Sequence, residues 1–375
     1  MTTAHRSIGR QRAEREEAVV IPAVDTLTGL LTEHDIDRER CDEQAARKMN
    51  GLPERYREEF CGMADVLPVS VEDLRLYAFG FSDVTDTIAD ADSSPEGCTN
   101  VVVSGERTAH GHPLVLKNRD IRGAGLRPQA AMTHPSIGDR HGFVTISTCG
   151  SVLVFQGVND AGLVAANTFI NVDTDTEKEV LNGVIVRRIL EECSTVADAR
   201  AFITECPLER VQGLTLAVAD ETDAAMYEID PHAAEIRPAS RSLMVRTNHF
   251  IGVNRDMPDE EASTGKRFAR ATELAADFPR EITRAELFAV ARDHDNGPGP
   301  NSLCRHGGEF PSRLDQATTV GATVYRGGTP TCYGLLGNPC RTSPVEVSFD
   351  RSIPDDLRTG QRWRELPKRP SSSIR

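Results

Sequence analysis

The sequence predicts an α+β fold in which helices cover stacked sheets, preceded by a helical leading segment. Three observations predict it. Residues 1 to about 92 are rich in charge and poor in β-branched runs. From Cys98 onward, strand-like blocks alternate with pairs of helix patterns, an order that lets helices cover sheet faces. Between the two textures lies a polar stretch, Ala91-Asp92-Ser93-Ser94-Pro95-Glu96-Gly97, whose composition reads as a solvated loop.

The elements follow in order. Residues 52–67 are amphipathic, and Ser70 with Asp73 forms a near capping box ahead of Leu74, Leu76 and Phe79. After the loop, residues 99–104 and 112–118 read as a hairpin around a turn at 105–111. Strand-like runs continue at 142–148, 151–157 and 162–169. Residues 177–192 carry Val180, Val184, Ile185, Ile189 and Leu190 at helical spacing, and 195–205 begins with a capping threonine. Strands are expected again at 213–219, 224–229 and 242–247, and helices at 266–277 and 284–293. Thr283 with Glu286 makes a capping box for the last helix. A β block over 318–349 closes the fold, and residues 351–375, with Pro370-Ser371-Ser372-Ser373, form a loose tail. The organisation is therefore a helical segment 1–97, a region of strand and helix blocks over 98–350, and the tail.

Composition narrows the function. The 375 residues carry 57 Asp and Glu against 43 Lys and Arg, a net charge of −14. A field of that sign repels nucleic acid and anionic lipid. No apolar run reaches the length of a membrane span, and the first twenty residues lack the apolar core of a secretory signal. A soluble, cytoplasmic protein is expected. There are five lysines and 38 arginines, a halophilic-type composition that genome bias towards arginine would equally produce. Nine cysteines, at 41, 61, 98, 149, 193, 206, 304, 332 and 340, include no CxxC pair. The closest metal-like grouping, Cys304, His306, Cys332 and Cys340, lacks a tight chelating pair, so no metal is expected. Most of these thiols read as small buried hydrophobes.

Cys98 is different because of where it stands. A loop ends at Gly97 and a strand begins at Cys98. Cutting the bond between them would expose a cysteine bearing both a thiol and an α-amine, and that amine can serve as base for its own side chain. Gly97, without a Cβ, suits such a cut. Position alone leaves a buried core cysteine as the alternative.

Further residues carry a resemblance. Gly97-Cys98-Thr99, a hairpin and Lys117-Asn118-Arg119-Asp120 resemble the opening of the N-terminal-nucleophile (Ntn) hydrolases of the choloylglycine hydrolase and penicillin-V acylase type. Gly157-Val158-Asn159-Asp160-Ala161-Gly162-Leu163 and Thr247-Asn248-His249-Phe250 are similar to two further segments of that group. Ser263 with Arg267-Phe268-Ala269-Arg270, then Leu303-Cys304-Arg305-His306 and Leu336-Gly337-Asn338-Pro339, follow in the expected order. The long leading segment is similar to that of the acyl-coenzyme A:6-aminopenicillanic acid acyltransferase-like branch.

The resemblance implies a four-layer αββα sandwich that cuts itself between Gly97 and Cys98, leaving a 278-residue chain that starts at Cys98. It implies a cysteine amidohydrolase or acyltransferase acting on a linear amide or acyl-coenzyme A through a thioester, with no cofactor. Its partners would be that small substrate and its own two chains, and homo-oligomerisation is left open. Cys98 would be the nucleophile, Asp120 the acceptor for the freed α-amine, and Asn248 the oxyanion donor. Arg267 would hold Asp120 or the nucleophile's surroundings, or else be a solvated helix arginine. Asn159 would be a second polar group of the site or a turn residue. Lys117 stands where the bile-salt enzymes place Arg, as a substrate-binding residue without the planar fork. Two other readings remain: a catalytically silent acyl-ligand binder, and a conventional thiol hydrolase pairing Cys98 with His249.

Overall fold

The computed structural model describes residues 3–88, 96–170, 181–206, 211–231, 235–239, 242–252, 262–307, 314 and 316–358. The expected start of one helix at 177 and the tail beyond 358 lie outside these residues. Two antiparallel sheets dominate. The first runs in the order β10-β1-β2-β11-β12-β13, built from β1 (Gly97–Val103), β2 (Leu114–Arg122), β10 (Leu243–Arg246), β11 (Ala317–Arg326), β12 (Thr331–Leu336) and β13 (Val345–Ser348). The second runs β3 to β9 in sequence order: β3 (Gln129–His134), β4 (Phe143–Thr148), β5 (Gln156–Asn159), β6 (Val164–Phe169), β7 (Leu214–Ala219), β8 (Ala224–Asp230) and β9 (Glu235–Ala239).

Alternation along the strands sets the layers, because successive side chains point to opposite faces. Val101 and Val103 pack with Ala271 and Ala275 of α8 (Ser263–Ala276) and with Leu287 and Phe288 of α9 (Arg284–Arg292). Val102 between them joins Val144, Ile146, Val158 and Val164 of the second sheet in the inter-sheet core. On the far side, Ala165, Leu216 and Val218 meet Ile185, Ile189 and Leu190 of α6 (Asn182–Glu192) and Ala199 and Ile203 of α7 (Val196–Thr204). The result is the expected αββα order. Thr195 and Thr283 cap α7 and α9 with complete capping boxes. Residues 151–155 are not strand; β5 begins at Gln156, where the backbone first pairs with β6. β3, with Ala130 and Ala131 at its centre, carries little β-propensity and forms by pairing with β4 along its length.

The leading segment is helical as expected: α1 (Ala4–Glu33), α2 (Arg38–Asn50), α3 (Glu54–Ala64), α4 (Val71–Arg75), a π-helical turn (Leu76–Gly80) and α5 (Phe81–Ile88). α1 and α3 cross backbone to backbone. A Cβ on Gly9 would lie 1.9 Å from the Glu59 carbonyl oxygen, and one on Gly62 2.0 Å from that of Arg6, so both positions need glycine. A buried ionic chain then ties these helices to the sandwich. Arg12 donates to Glu59 at 2.7 Å and to the Ser151 carbonyl at 2.9 Å. Glu59 also pairs with Arg187 of α6, which holds Glu191 at 2.9 Å. Glu16 accepts from the Gly150 N–H at 2.7 Å.

Burial alone would raise the Glu59 carboxyl, but Arg187 and Arg12 outweigh it and hold it well below the usual carboxylate range. Burial pushes His134, stacked on Phe143 at 4.4 Å, well below the ordinary imidazole value. Both shifts are downward, so the unfolded chain binds protons that the folded chain refuses. Stability therefore falls on acidification, through His134 below its ordinary value of 6.5 and then through Glu59 below 4.5. The expected slope is up to about 1.4 kcal/mol per pH unit per group. Urea midpoints between pH 8 and pH 4 measure it, and His134→Gln should flatten the upper part of the curve. At neutral pH Glu59→Gln leaves Arg12 and Arg187 short of a buried counter-charge and should cost about 3–5 kcal/mol.

Candidate active site

The pairing of β1 with β2 fixes what stands around Cys98. Gly97 lies opposite Asp120, Cys98 opposite Arg119 and Asn100 opposite Lys117. Cross-strand partners share a face. Cys98, Asn100, Lys117 and Arg119 thus face the second sheet with Val102, while Gly97 and Asp120 face α8 with Val101 and Val103. Cys98 is half-buried and opens onto a cavity of about 780 Å³ between the sheets and the leading segment. That cavity is also lined by Gly97, Lys117, Asp120, Asn248 and Arg267, so the structure brings six of the seven expected residues together.

Behind the strand, Arg267 is the organiser. Fully buried on α8, it donates to the Cys98 carbonyl oxygen at 2.8 Å, to Thr99 Oγ1 at 3.2 Å and to Asn248 Oδ1 at 2.8 Å. Burial, then neighbouring Arg305, push its guanidinium down to about 9, which leaves it a cation at neutral pH. Asp120 takes a hydrogen bond from Thr319 Oγ1 at 2.6 Å and pairs with Arg305 at 3.4 Å, both residues fully buried. Arg305 also donates to Ser263 Oγ at 2.6 Å. A Cβ on Gly97 would stand 2.9 Å from Arg267 Nη2 and 3.1 Å from Arg305 Nη2. A side chain there would press on two packed guanidinium groups and oblige them to shift.

In front of the strand, Asn248 Oδ1 accepts from the Cys98 N–H at 2.9 Å, and its amide nitrogen donates to the Phe169 carbonyl at 2.6 Å. Lys117 is fully buried and donates to the Asn167 carbonyl. Burial pushes its ammonium down, while Cys98 opposes the shift through charge and a hydrogen bond. Arg119, also buried, is held by Gln129 at 2.6 Å and Thr148 at 3.1 Å, and burial with nearby Arg127 lowers it to about 10.

Two residues fall elsewhere than at the site. Asn159 is fully buried, donating to the Leu190 and Cys193 carbonyls at 3.0 and 2.7 Å and accepting from the Leu163 N–H at 2.8 Å. It pins the turn after β5 to the end of α6 and does not line the cavity. His249 directs Nδ1 at Thr264 Oγ1 (2.9 Å) and Thr247 Oγ1 (3.1 Å), and burial lowers it to about 4. It too is absent from the cavity wall.

The sequence reading passed over Asn167. It lines the cavity on β6 and is buried, and its side-chain Nδ2 has no hydrogen-bond partner among the described residues. A buried amide donor left open on a cavity wall is the kind of group that can hold a negative oxygen. Its neighbourhood, Ala165-Ala166-Asn167, gives no local signal. The leading segment was also unassigned to the site, yet Tyr77, Phe79 and Phe81 line the cavity with Leu153, Phe155 and Phe169. Tyr77 and Phe79 come from the π-helical turn, a feature often found at functional sites.

The family model for acyl-coenzyme A:6-aminopenicillanic acid acyl-transferase matches residues 107–339. No curated protein matches the chain. Among solved structures it is similar to penicillin V acylase from Agrobacterium tumefaciens (16% identity, TM-score 0.41, covering 64% of this chain and 83% of that one). The Caenorhabditis elegans ortholog of N-acylethanolamine-hydrolyzing acid amidase is similar at 13% identity and TM-score 0.42, covering 60% and 92%. A conjugated bile acid hydrolase from Clostridium perfringens follows at 11% and 0.44, covering 68% and 99%. With a match over more than half of its length, the chain belongs to the acyl-coenzyme A:6-aminopenicillanic acid acyl-transferase family.

Proposed function

We propose that the protein is a self-processing cysteine amidohydrolase, with acyl transfer to an amine as the second outcome of the same intermediate. The observation that carries this reading is the junction itself. The Gly97–Cys98 bond ends in a cavity, with Asn248 Oδ1 on the Cys98 nitrogen and Arg267 on the Cys98 carbonyl. In the first reaction, the Cys98 sulfur bonds to the Gly97 carbonyl carbon and the C–N bond breaks, giving a thioester and a free α-amine. Water then releases the Gly97 carboxylate. In the second, the sulfur adds to the carbonyl of an amide or acyl thioester, and the leaving group departs with a proton. Water or an amine resolves the new thioester.

The roles follow from the contacts. Once freed, the α-amine stays on Asn248 Oδ1 and takes the thiol proton, directly or through water. Arg305, paired with Asp120 behind Gly97, receives the negative charge of the carboxylate that the cut creates there. The Asn167 amide and the second hydrogen of the Asn248 amide supply the oxyanion with donors. Lys117, buried and facing the thiol, serves the nucleophile rather than a substrate carboxylate. The phenylalanines of the cavity accept an apolar acyl group. Hydrolysis is favoured because water needs no dedicated site.

The conventional Cys/His reading finds no support in His249, which does not line the cavity that Cys98 opens onto. His249→Ala should therefore retain at least a third of wild-type turnover. Asn167→Ala should lower kcat/KM about 10²–10³-fold with the chain still cut, as loss of one oxyanion donor does. A chromogenic acyl ester is the substrate in both assays. The function is tested by quenching that reaction in acid and mapping the adduct by mass spectrometry. Acylation of the Cys98 sulfur is expected; acylation of another residue, or none with full turnover, would reject the reading.

A further inference from the structure

Away from the cavity, two imidazoles and two thiols converge. His294 lies just after α9, Cys304 and His306 flank Arg305, and Cys340 follows the 337–339 turn. Their ligand atoms all lie within 4.8 Å of one another. His306 Nε2 is 2.9 Å from His294 Nε2, 3.3 Å from Cys340 Sγ and 3.6 Å from Cys304 Sγ. The grouping suggested by the sequence is thereby corrected: Cys332 is buried in β12 within the main core, and His294 takes its place. Separations of ten and thirty-four residues gave no chelating signature; the folded loops create it.

Hydrogen bonding does not account for this arrangement. An imidazole Nε2 offers one hydrogen or one lone pair, yet three polar atoms crowd this one. A single cation at their centre would satisfy all four. A tetrahedral site with bonds of about 2.0–2.1 Å to nitrogen and 2.3 Å to sulfur has edges of about 3.3–3.8 Å; the two His306–cysteine separations fall in that range, and the His306–His294 separation is shorter. Two thiolates and two neutral imidazoles neutralise a divalent ion, and this soft, four-coordinate donor set selects zinc.

The structure assigns His294, Cys304, His306 and Cys340 as a structural zinc site that locks Arg305 behind the active site. The link is short. Arg305 lies between two of the ligands, its N–H donates to Thr319 Oγ1 at 2.8 Å, and Thr319 Oγ1 in turn donates to Asp120. Asn338, two residues before Cys340, donates to the Arg305 carbonyl at 2.8 Å. A metal joining the two loops fixes the strand of backbone from which Arg305 reaches Asp120 and Ser263. All four protein ligands fill the coordination sphere, so the ion is structural and takes no part in acyl transfer.

The experiment is metal analysis of the full-length protein purified under reducing conditions from zinc-supplemented cultures and desalted. About one zinc per chain is expected. Cys340→Ser and His294→Ala, both at positions outside the core, should reduce this to below a tenth, whereas Cys206→Ser should leave it unchanged. Cobalt substitution of the wild type should give thiolate charge-transfer absorption that Cys340→Ser removes. A zinc-free wild type that takes up no cobalt would overturn the assignment. So would bound zinc that survives both substitutions, or a Cys304–Cys340 disulfide in place of the metal. Each readout is independent of turnover, so the site stands or falls apart from the proposed chemistry.

Discussion

The register of β1 against β2 is the constraint on which the site depends. Because side chains alternate across a sheet, a slip of one residue would exchange its two faces. Cys98 would then turn towards α8 and away from the cavity it now opens onto. The register is held on both sides of the strand. Val101 and Val103 are committed to the helix layer and Val102 to the inter-sheet core, while β10 pairs with the same residues from the other edge. Gly97 adds a local condition, since a side chain there would press on the two guanidinium groups. The geometry at the junction is thus a consequence of hydrophobic sorting along seven residues.

Charge is arranged around that strand in an uneven way. Lys117, Arg119, Arg267 and Arg305 are buried within the same two layers, and Asp120 is the carboxylate among them. Burying cations is costly unless they are hydrogen-bonded, and each of the four is tied to carbonyl, hydroxyl, amide or carboxylate oxygen. What remains is a positive, low-dielectric surrounding in which developing negative charge on an attacked carbonyl is stabilised. The leading segment completes the enclosure. Its π-helical turn supplies aromatic wall, and the chain from Arg12 through Glu59 to Arg187 anchors it across the would-be cleavage point. If the proposed cut is made, such an anchor keeps the two chains in one folded body.

Much of this was legible in the sequence for local reasons. Strand blocks, helix pairs, the capping threonines at 195 and 283, and the change of texture at Gly97 are patterns that neighbouring residues carry themselves. Five candidate side chains, with Gly97, do meet at one cavity. What escaped was set by distance along the chain. Asn159 looks like a site residue in its motif, but its donors are taken by carbonyls thirty-one and thirty-four residues away. Asn167 has no motif of its own and becomes notable only because its amide is left open in the fold. Arg305 acquires a role through Asp120, and His294 through two cysteines and a histidine that loops bring to it. β3 was missed because alanine-rich strands depend on their partners more than on their composition.

The central claim is that Cys98 becomes an N-terminal nucleophile. Its most direct test is the intact mass of the purified protein under denaturing conditions, set beside that of Cys98→Ala. The account predicts two chains from the wild type, the larger beginning at Cys98, and one uncut chain from the variant. A wild type that remains a single active chain, or a variant that is cut at the same bond, would contradict it.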